Sequence, residues 1–487
     1  MKADFQVGII GAGFGGLVAA LRLQKEGKSS FVIFERASEV GGTWRDNIYP
    51  GCACDVPSHL YSLADELNPN WSRAFSSQPE ILAYMKEVVA KHGLQKQIRF
   101  NSDITGLWFM EEQGLWEITD RSGTITRIKM VISATGPLNR PNTPHFKGME
   151  LFQGKVFHSA AWDKNFDLRG KRVAVIGTGA SSIQIVPNIA PLVSQLTVFQ
   201  RTAAWVQRRP DHRFPGFIQG MFKTIPLTNK LYRELIYWRN EFFGKAFVGN
   251  ELINKLGSKM SLSLLKKQVK DPAIRQKLTP NYKMGCKRVL VSNDYYPTFN
   301  RPNVNLVTEG IQEWTPNGIR TIDGKEHAFD AIILATGFVA ADIDLYTTIT
   351  GRNNRDLLAE WRQTGAQAYR GTTVSGYPNL AFMLGPNTGL GHNSVVHIME
   401  SQMNYIMDYL NLLEKQGENG YLDVRPEVQQ QHNDSLQSQF AGTVWESGCK
   451  SWYINGQGKN TTLYPRLTVQ FRKELRRVSS SDFSIKI

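Results

Sequence analysis

An α/β fold with two Rossmann-like dinucleotide-binding domains, the second carrying a helical insert, is what this 487-residue sequence predicts. Three observations lead there. Two strand–glycine-turn–helix units begin at Phe5 and Lys171. Two more apolar strands, "KMVISATG" and "DAIILATG", each close on Ala-Thr-Gly. A basic, aromatic-rich segment interrupts the second unit, and the length suits at least two domains with large cores.

The first unit, "FQVGIIGAGFGGLVAALRLQKEG", holds Gly11, Gly13 and Gly16 in the frame G-x-G-x-x-G. The first glycine permits a tight turn, the second lets backbone approach a pyrophosphate, and the third lets the helix pack on the strand. The helix N-terminus then offers N–H groups to phosphate. A second strand follows and ends in Glu35, twenty-four places after Gly11; an acid there accepts hydrogen bonds from a ribose. The unit recurs as "KRVAVIGTGASSIQIVPNIA", with Gly177 and Gly179 in frame and Ser182 at the third position. Serine is small enough to keep the helix close. Twenty-four places after Gly177 stands Arg201 rather than an acid, which suits an adenosine 2′-phosphate by charge and by its fork of donors. The first site should take FAD or NAD and the second NADPH, so electrons are expected to pass between them.

In flavoproteins with two dinucleotide sites such Ala-Thr-Gly turns mark crossings between the domains, and the same is expected here. The expected division is residues 1–140 with 341–487 for FAD, 141–210 with 284–340 for NADPH, and 211–283 for the insert. The net charge is +14, and residues 211–283 supply +9 of it, with fourteen Lys or Arg against five Asp or Glu. The charge is therefore local, and no nucleic-acid motif accompanies it. Four cysteines, Cys52, Cys54, Cys286 and Cys449, are too few for a disulfide scaffold. Cys52 and Cys54 have a spacing that fits neither a redox pair nor a zinc site. With no export signal and no apolar run long enough to span a bilayer, a reducing cytoplasm is expected.

Two longer motifs narrow the class. "FQGKVFHSAAWD" places Phe152, Gly154, His158, Trp162 and Asp163 in the pattern F-x-G-x-x-x-H-x-x-x-W followed by P or D. "GGTWRDNIYPGCACD" places Gly41, Gly42, Trp44, Tyr49, Pro50, Gly51 and Asp55 in a second pattern. Together they resemble the signatures of Baeyer–Villiger monooxygenases, and the resemblance covers nearly the whole chain. It implies that NADPH reduces FAD, that the reduced flavin and O2 form a C4a-peroxide, and that this attacks a ketone to give an ester or lactone. It also implies oxidation of thioethers. The segment "MGCKRVLVSNDYYPTFNRPNV" is similar to the family's Lys-Arg segment. By that match Arg288 is the catalytic arginine, Asp55 its partner, and Lys287 meets the 2′-phosphate with Arg201 and Thr202. Thr43, Trp44, Asp55, Tyr61, Thr178, Ser181, Ser182 and Arg288 are also expected among the cofactor-binding residues, with Trp44 near the flavin and Arg288 beside its C4a region. "CKSWYINGQGKN" resembles the loop that closes over NADPH, with Trp452 its cofactor-contacting aromatic. His158 and Trp162 would hold the interdomain linker, and His392 and His397 would be packing or surface residues.

Two other readings stay open. One is a monooxygenase acting mainly on sulfur or nitrogen. The other is a membrane-associated redox protein that only oxidises NADPH and releases peroxide. In the insert, "NKLYRELIYWRNEFFGKAF" is expected to form an amphipathic helix with Tyr232, Leu235, Ile236 and Phe243. The insert reads first as a solvated basic face over packed helices, and second as a weak membrane contact that gathers lipophilic substrate.

Overall fold

The apolar run Phe5–Ile10 is a central strand of a mixed sheet. It pairs in parallel with Phe31–Phe34 on one side and with Ile125–Ser133 on the other. All four residues of Phe31–Phe34 are buried, as for a strand covered on both faces. The computed structural model describes residues 2–339, 347–449 and 451–486, and among these the sheet has nine strands. Late segments complete it: Tyr377–Phe382 runs parallel to Ile125–Ser133, and Thr348–Thr350 parallel to Ile104–Met110. The helix Phe14–Lys25 packs against the late helix Val395–Leu413.

The second sheet has five strands, all parallel, in the order Val304–Val307, Gln195–Phe199, Arg172–Ile176, Ala331–Leu334 and Lys155–His158. Its edge strand comes from the first signature: Phe157 pairs with Ile333, and His158 with Leu334. The two interdomain crossings run side by side. Asn142 N donates to Gly337 O at 2.8 Å, and Val339 N donates to Arg140 O at 3.0 Å. The boundary expected at 340/341 falls within 340–346, outside the described residues.

The insert contains the helices Gly216–Thr224, Pro226–Gly244, Glu251–Gln268 and Pro272–Lys277. The amphipathic face expected of the second helix divides. Ile236 is buried and Tyr232 half-buried, whereas Leu235 and Phe243 point to solvent. The inward face of this helix is held largely by polar groups, including Asn229, Arg233 and Glu241, all buried. No helix of the described residues is long and apolar enough to cross a membrane.

Candidate functional site

The first glycine turn has the shape a dinucleotide needs. Gly11 has φ +104°, a conformation that disfavours any side chain. A Cβ on Gly16 would lie 2.0 Å from Gly11 O, so only glycine lets the helix start this close to the strand. A Cβ on Gly13 would meet nothing nearer than Gly42 Cα at 3.8 Å, which leaves its backbone open to a ligand. Gly42 in turn caps the short helix Thr43–Asp46, whose first residue, Thr43, is exposed. Glu35 is buried and accepts from Ala12 N at 2.8 Å and Ala37 N at 3.0 Å. Arg45 Nη1 donates to it at 2.8 Å. This carboxylate is thus positioned by the turn itself and by an arginine from the second signature. Trp44 Nε1 donates to Tyr61 Oη at 3.1 Å, and the Tyr61 ring also packs edge-on against Phe14. Trp44 and Tyr61 form one wall beside the cradle.

The second turn repeats the geometry. Gly177 has φ +113°, and Gly179 has open space where a Cβ would stand. The small Ser182 is fully buried, and its Oγ has no partner among the described residues. Thr178 Oγ1 donates to Thr202 O at 2.9 Å and ties the turn to the strand end bearing Arg201. Arg201 is exposed. Burial, and then the charge of Arg201, hold the Lys287 ammonium below its ordinary pKa. Two cations that disfavour each other at the end of this strand fit an anion placed between them, as a 2′-phosphate would be.

The domains meet at the second signature. A Cβ on Gly51 would strike Asn188 Nδ2 at 2.1 Å and Gln184 O at 2.8 Å, so glycine permits the contact with the helix Ala180–Ile189. The Gln184 side chain accepts from Tyr49 Oη at 3.0 Å and donates to Ala53 O at 2.9 Å. A cavity of about 440 Å³ lies along this seam, lined by Tyr49, Gly51, Gln184 and Arg209 but by neither Asp55 nor Arg288. It belongs to the interface and not to the site described next.

Four residues beyond Gly51, Asp55 accepts from Arg288 Nε at 2.9 Å and from Nη2 at 2.6 Å, both on Oδ2. Nη1 makes no hydrogen bond among the described residues. Asp55 is the main reason the guanidinium is held even more firmly protonated than usual. The arginine is a fixed cation whose remaining donor can turn to a ligand. Its side chain keeps 36 % of its surface accessible, enough for direct contact. The neighbouring Cys52 and Cys54 are buried thiols. Burial pushes Cys52 up to about 11 and Cys54 well above its ordinary value. Neither is a thiolate near neutral pH.

The C-terminal loop reaches this cation. Tyr453 is buried; its phenol is pushed up to about 12 by burial, against the pull of Arg288. The Trp452 ring lies tilted against that of Tyr453, with centroids 4.4 Å apart, and stays 43 % exposed. Cys449 is bonded to Cys286, next to Lys287 and Arg288, so a disulfide fastens the loop to the Lys-Arg segment. This pairing has no local cue, because 163 residues separate the two cysteines. Nor does the sequence distinguish Tyr453 from Trp452, or point to Gln184 and Arg45. Each acts through a long-range contact without a motif.

His158 and Trp162 lie in the linker. His158 is buried, and its Nδ1 accepts from Ala160 N at 3.0 Å. Nε2 has no well-formed partner, although the Gly337 backbone of the other crossing lies beside it. Trp162 packs edge-on against Phe157 at 5.0 Å, and Asp163 pairs with Lys155 at 2.7 Å. His392 Nε2 lies 3.1 Å from Glu241 of the insert, and His397 Nδ1 lies 3.4 Å from Glu400; both are interior packing residues.

Comparison with known proteins agrees with this architecture. Residues 4–343 match the flavin-binding monooxygenase-like family. The chain is 46 % identical over 483 residues to a Baeyer–Villiger monooxygenase of Streptomyces coelicolor, covering 99 % of this chain and 92 % of that protein. It is also 46 % identical over 482 residues to a Baeyer–Villiger monooxygenase of Pseudomonas aeruginosa, covering 99 % and 91 %. Among solved structures, closed cyclohexanone monooxygenase aligns over all of both chains with a TM-score of 0.88 at 27 % identity. The complex of OTEMO with FAD and NADP aligns over all of both chains at 0.87 and 28 %.

Proposed function

The chain belongs to the flavin-binding monooxygenase-like family and is a flavoprotein monooxygenase of the Baeyer–Villiger type that uses FAD and NADPH; we propose that it inserts oxygen from O2 into ketones to give esters or lactones, and that it also oxidises thioethers. The observation that carries this reading is the Arg288–Asp55 pair, with one guanidinium nitrogen left uncommitted where the second signature, the Lys-Arg segment and the C-terminal loop converge.

The FAD side comprises residues 1–140 and 341–487. There Gly11, Gly13 and Gly16 receive the pyrophosphate, Glu35 the ribose, and Thr43, Trp44, Asp55 and Tyr61 line the remainder. The NADPH side comprises residues 141–210 and 284–340. There Gly177, Thr178, Gly179, Ser181 and Ser182 form the phosphate turn, and Arg201, Thr202 and Lys287 hold the 2′-phosphate. Trp452 covers the cofactor from the C-terminal loop. The bound flavin, once reduced by NADPH, supplies the oxygen-activating chemistry.

Arg288 contributes a permanent positive charge where negative charge develops on oxygen, and Asp55 fixes the plane of its fork. Tyr453 and the wall formed by Trp44 and Tyr61 limit water near that charge, which strengthens it. Glu35, already held by Arg45 and two backbone N–H groups, does not need to reorganise to receive a ribose hydroxyl.

The test is product analysis with a small panel of cyclic, linear and aryl ketones and one thioether, followed by gas chromatography. Ester from a ketone supports the reading. Sulfoxide with no ester would make it a heteroatom monooxygenase, and hydrogen peroxide alone would make it an NADPH oxidase.

A further inference from the structure

The insert turns its apolar side outward. Among the described residues, twenty-two large hydrophobic side chains are exposed, and thirteen of them lie between Phe217 and Leu262. Soluble monomers rarely gather exposed apolar groups so densely. The helix Pro226–Gly244 shows the pattern clearly. Leu227, Leu231, Leu235, Trp238 and Phe242 recur every three or four residues, each more than half exposed. That spacing makes one continuous stripe. A second stripe, Leu252, Leu256 and Met260, runs along the helix Glu251–Gln268, again each more than half exposed.

The helix cannot roll to bury its stripe, because its opposite face is pinned. Arg233 Nη2 donates to Glu400 at 3.1 Å. Glu241 accepts from Asn393 Nδ2 at 2.8 Å and from the backbone N–H groups of Thr468 and Val469 at 3.2 and 3.1 Å. Turning the stripe inward would carry Arg233 and Glu241 out to solvent and leave Glu400 and the donors of Asn393, Thr468 and Val469 without their partners, which is unfavourable.

The charge around the stripes is predominantly positive. Lys223, Lys230 and Lys259 are exposed and make no ion pair among the described residues. Of the five carboxylates between 211 and 283, Glu241 is buried, Asp211 and Glu251 are ion-paired, Asp271 caps a helix, and half-buried Glu234 is left as the one acid beside the stripe without an ion pair among the described residues. A two-fold contact between copies of the chain would set these lysines against each other. An anionic lipid surface instead satisfies both features: leucines and tryptophan enter the acyl boundary while lysines stay at the headgroups.

We propose that the outward face of the helices Pro226–Gly244 and Glu251–Gln268 docks on a membrane surface that contains anionic lipid. The proposal stands apart from the reaction catalysed. Full-length holoenzyme is sedimented with vesicles of phosphatidylcholine, alone or with phosphatidylglycerol, at low and high salt. The wild type should bind the anionic vesicles, bind neutral ones less, and loosen as salt rises. The triple variant Leu231→Ser, Leu235→Ser, Trp238→Ser should lower partitioning by roughly tenfold or more, with thermal midpoint and FAD content retained. If that variant loses its fold, Lys223→Gln with Lys230→Gln and Lys259→Gln decides instead, and should remove the preference for anionic vesicles. A wild type that stays in the supernatant overturns the proposal. So does partitioning that neither variant changes. Self-association in solution that the serine variant abolishes, without vesicle binding, would assign the face to a second copy and overturn it as well.

Discussion

Arg288 reaches Asp55 through Nε at 2.9 Å and Nη2 at 2.6 Å, and both bonds end on one carboxylate oxygen. The fork is fixed in plane yet keeps Nη1 for another partner. Removing the charge should therefore harm oxygen insertion more than cofactor binding. Arg288→Ala should retain FAD and still oxidise NADPH while ester formed per NADPH falls by about 10²–10³. Arg288→Lys should rescue poorly, because lysine has no planar fork. Asp55→Ala should be milder, since the cation stays but loses its orientation. Wild-type coupling in Arg288→Ala would place the stabilising cation elsewhere.

Arg201 and Lys287 oppose each other's charge at the end of one strand of the second sheet. An anion between them relieves that repulsion. Arg201→Ala should raise KM for NADPH by about ten- to a hundredfold, the equivalent of one charge-assisted bond of roughly 1.5–3 kcal/mol. Lys287→Ala should act in the same direction. KM for NADH should change little in either variant. An equal rise for both nucleotides would remove the 2′-phosphate from the account.

Much of the frame could be read from sequence, because glycine turns and buried strands are local and periodic. Gly11 and Gly177 adopt the positive φ their motifs require, and the pairing of Asp55 with Arg288 is what the family resemblance implies. What was not legible depends on contacts between distant segments. The Arg45 grip on Glu35, the Gln184 clamp on Tyr49 and the inward turn of Tyr453 have no local pattern. The insert helix departs from its sequence pattern for a related reason. The spacing of Tyr232, Leu235, Ile236 and Phe243 predicts one apolar face, but Leu235 and Phe243 are exposed. The inward face of the helix is mixed, and buried Arg233 and Glu241 determine which side faces in.

The disulfide between Cys286 and Cys449 gives a direct count. Protein unfolded without reductant should show two reactive thiols, Cys52 and Cys54, and four after reduction. Because the bond fastens the loop holding Trp452 and Tyr453 to the Lys-Arg segment, Cys449→Ser should raise KM for NADPH more than it changes flavin content. Four thiols in the unreduced protein would contradict the tether.

His59 should make the fold sensitive to mild acid. Its ring lies among Phe214, Phe222 and Tyr232, with centroids 4.8 to 5.0 Å away, and neither ring nitrogen has a partner among the described residues. Burial, with a smaller push from His212, lowers its pKa from 6.5 to about 4. The unfolded chain therefore takes up this proton below about pH 6.5 while the folded chain resists it. The stability that neutral His59 confers is complete above that pH and is lost as pH falls toward about 4. Between about pH 7 and pH 5 the loss should be about 2 kcal/mol from this residue alone. His432 and His397, also lowered by burial, add to the total in the same window. The informative quantity is thus the change in slope. In urea unfolding at the two pH values, His59→Phe should shrink the wild-type difference by about 2 kcal/mol, whatever it does to stability at neutral pH. The same loss in both proteins would mean that His59 is protonated in the native state, and that the cluster joining the insert to the first domain is wetter than its packing indicates.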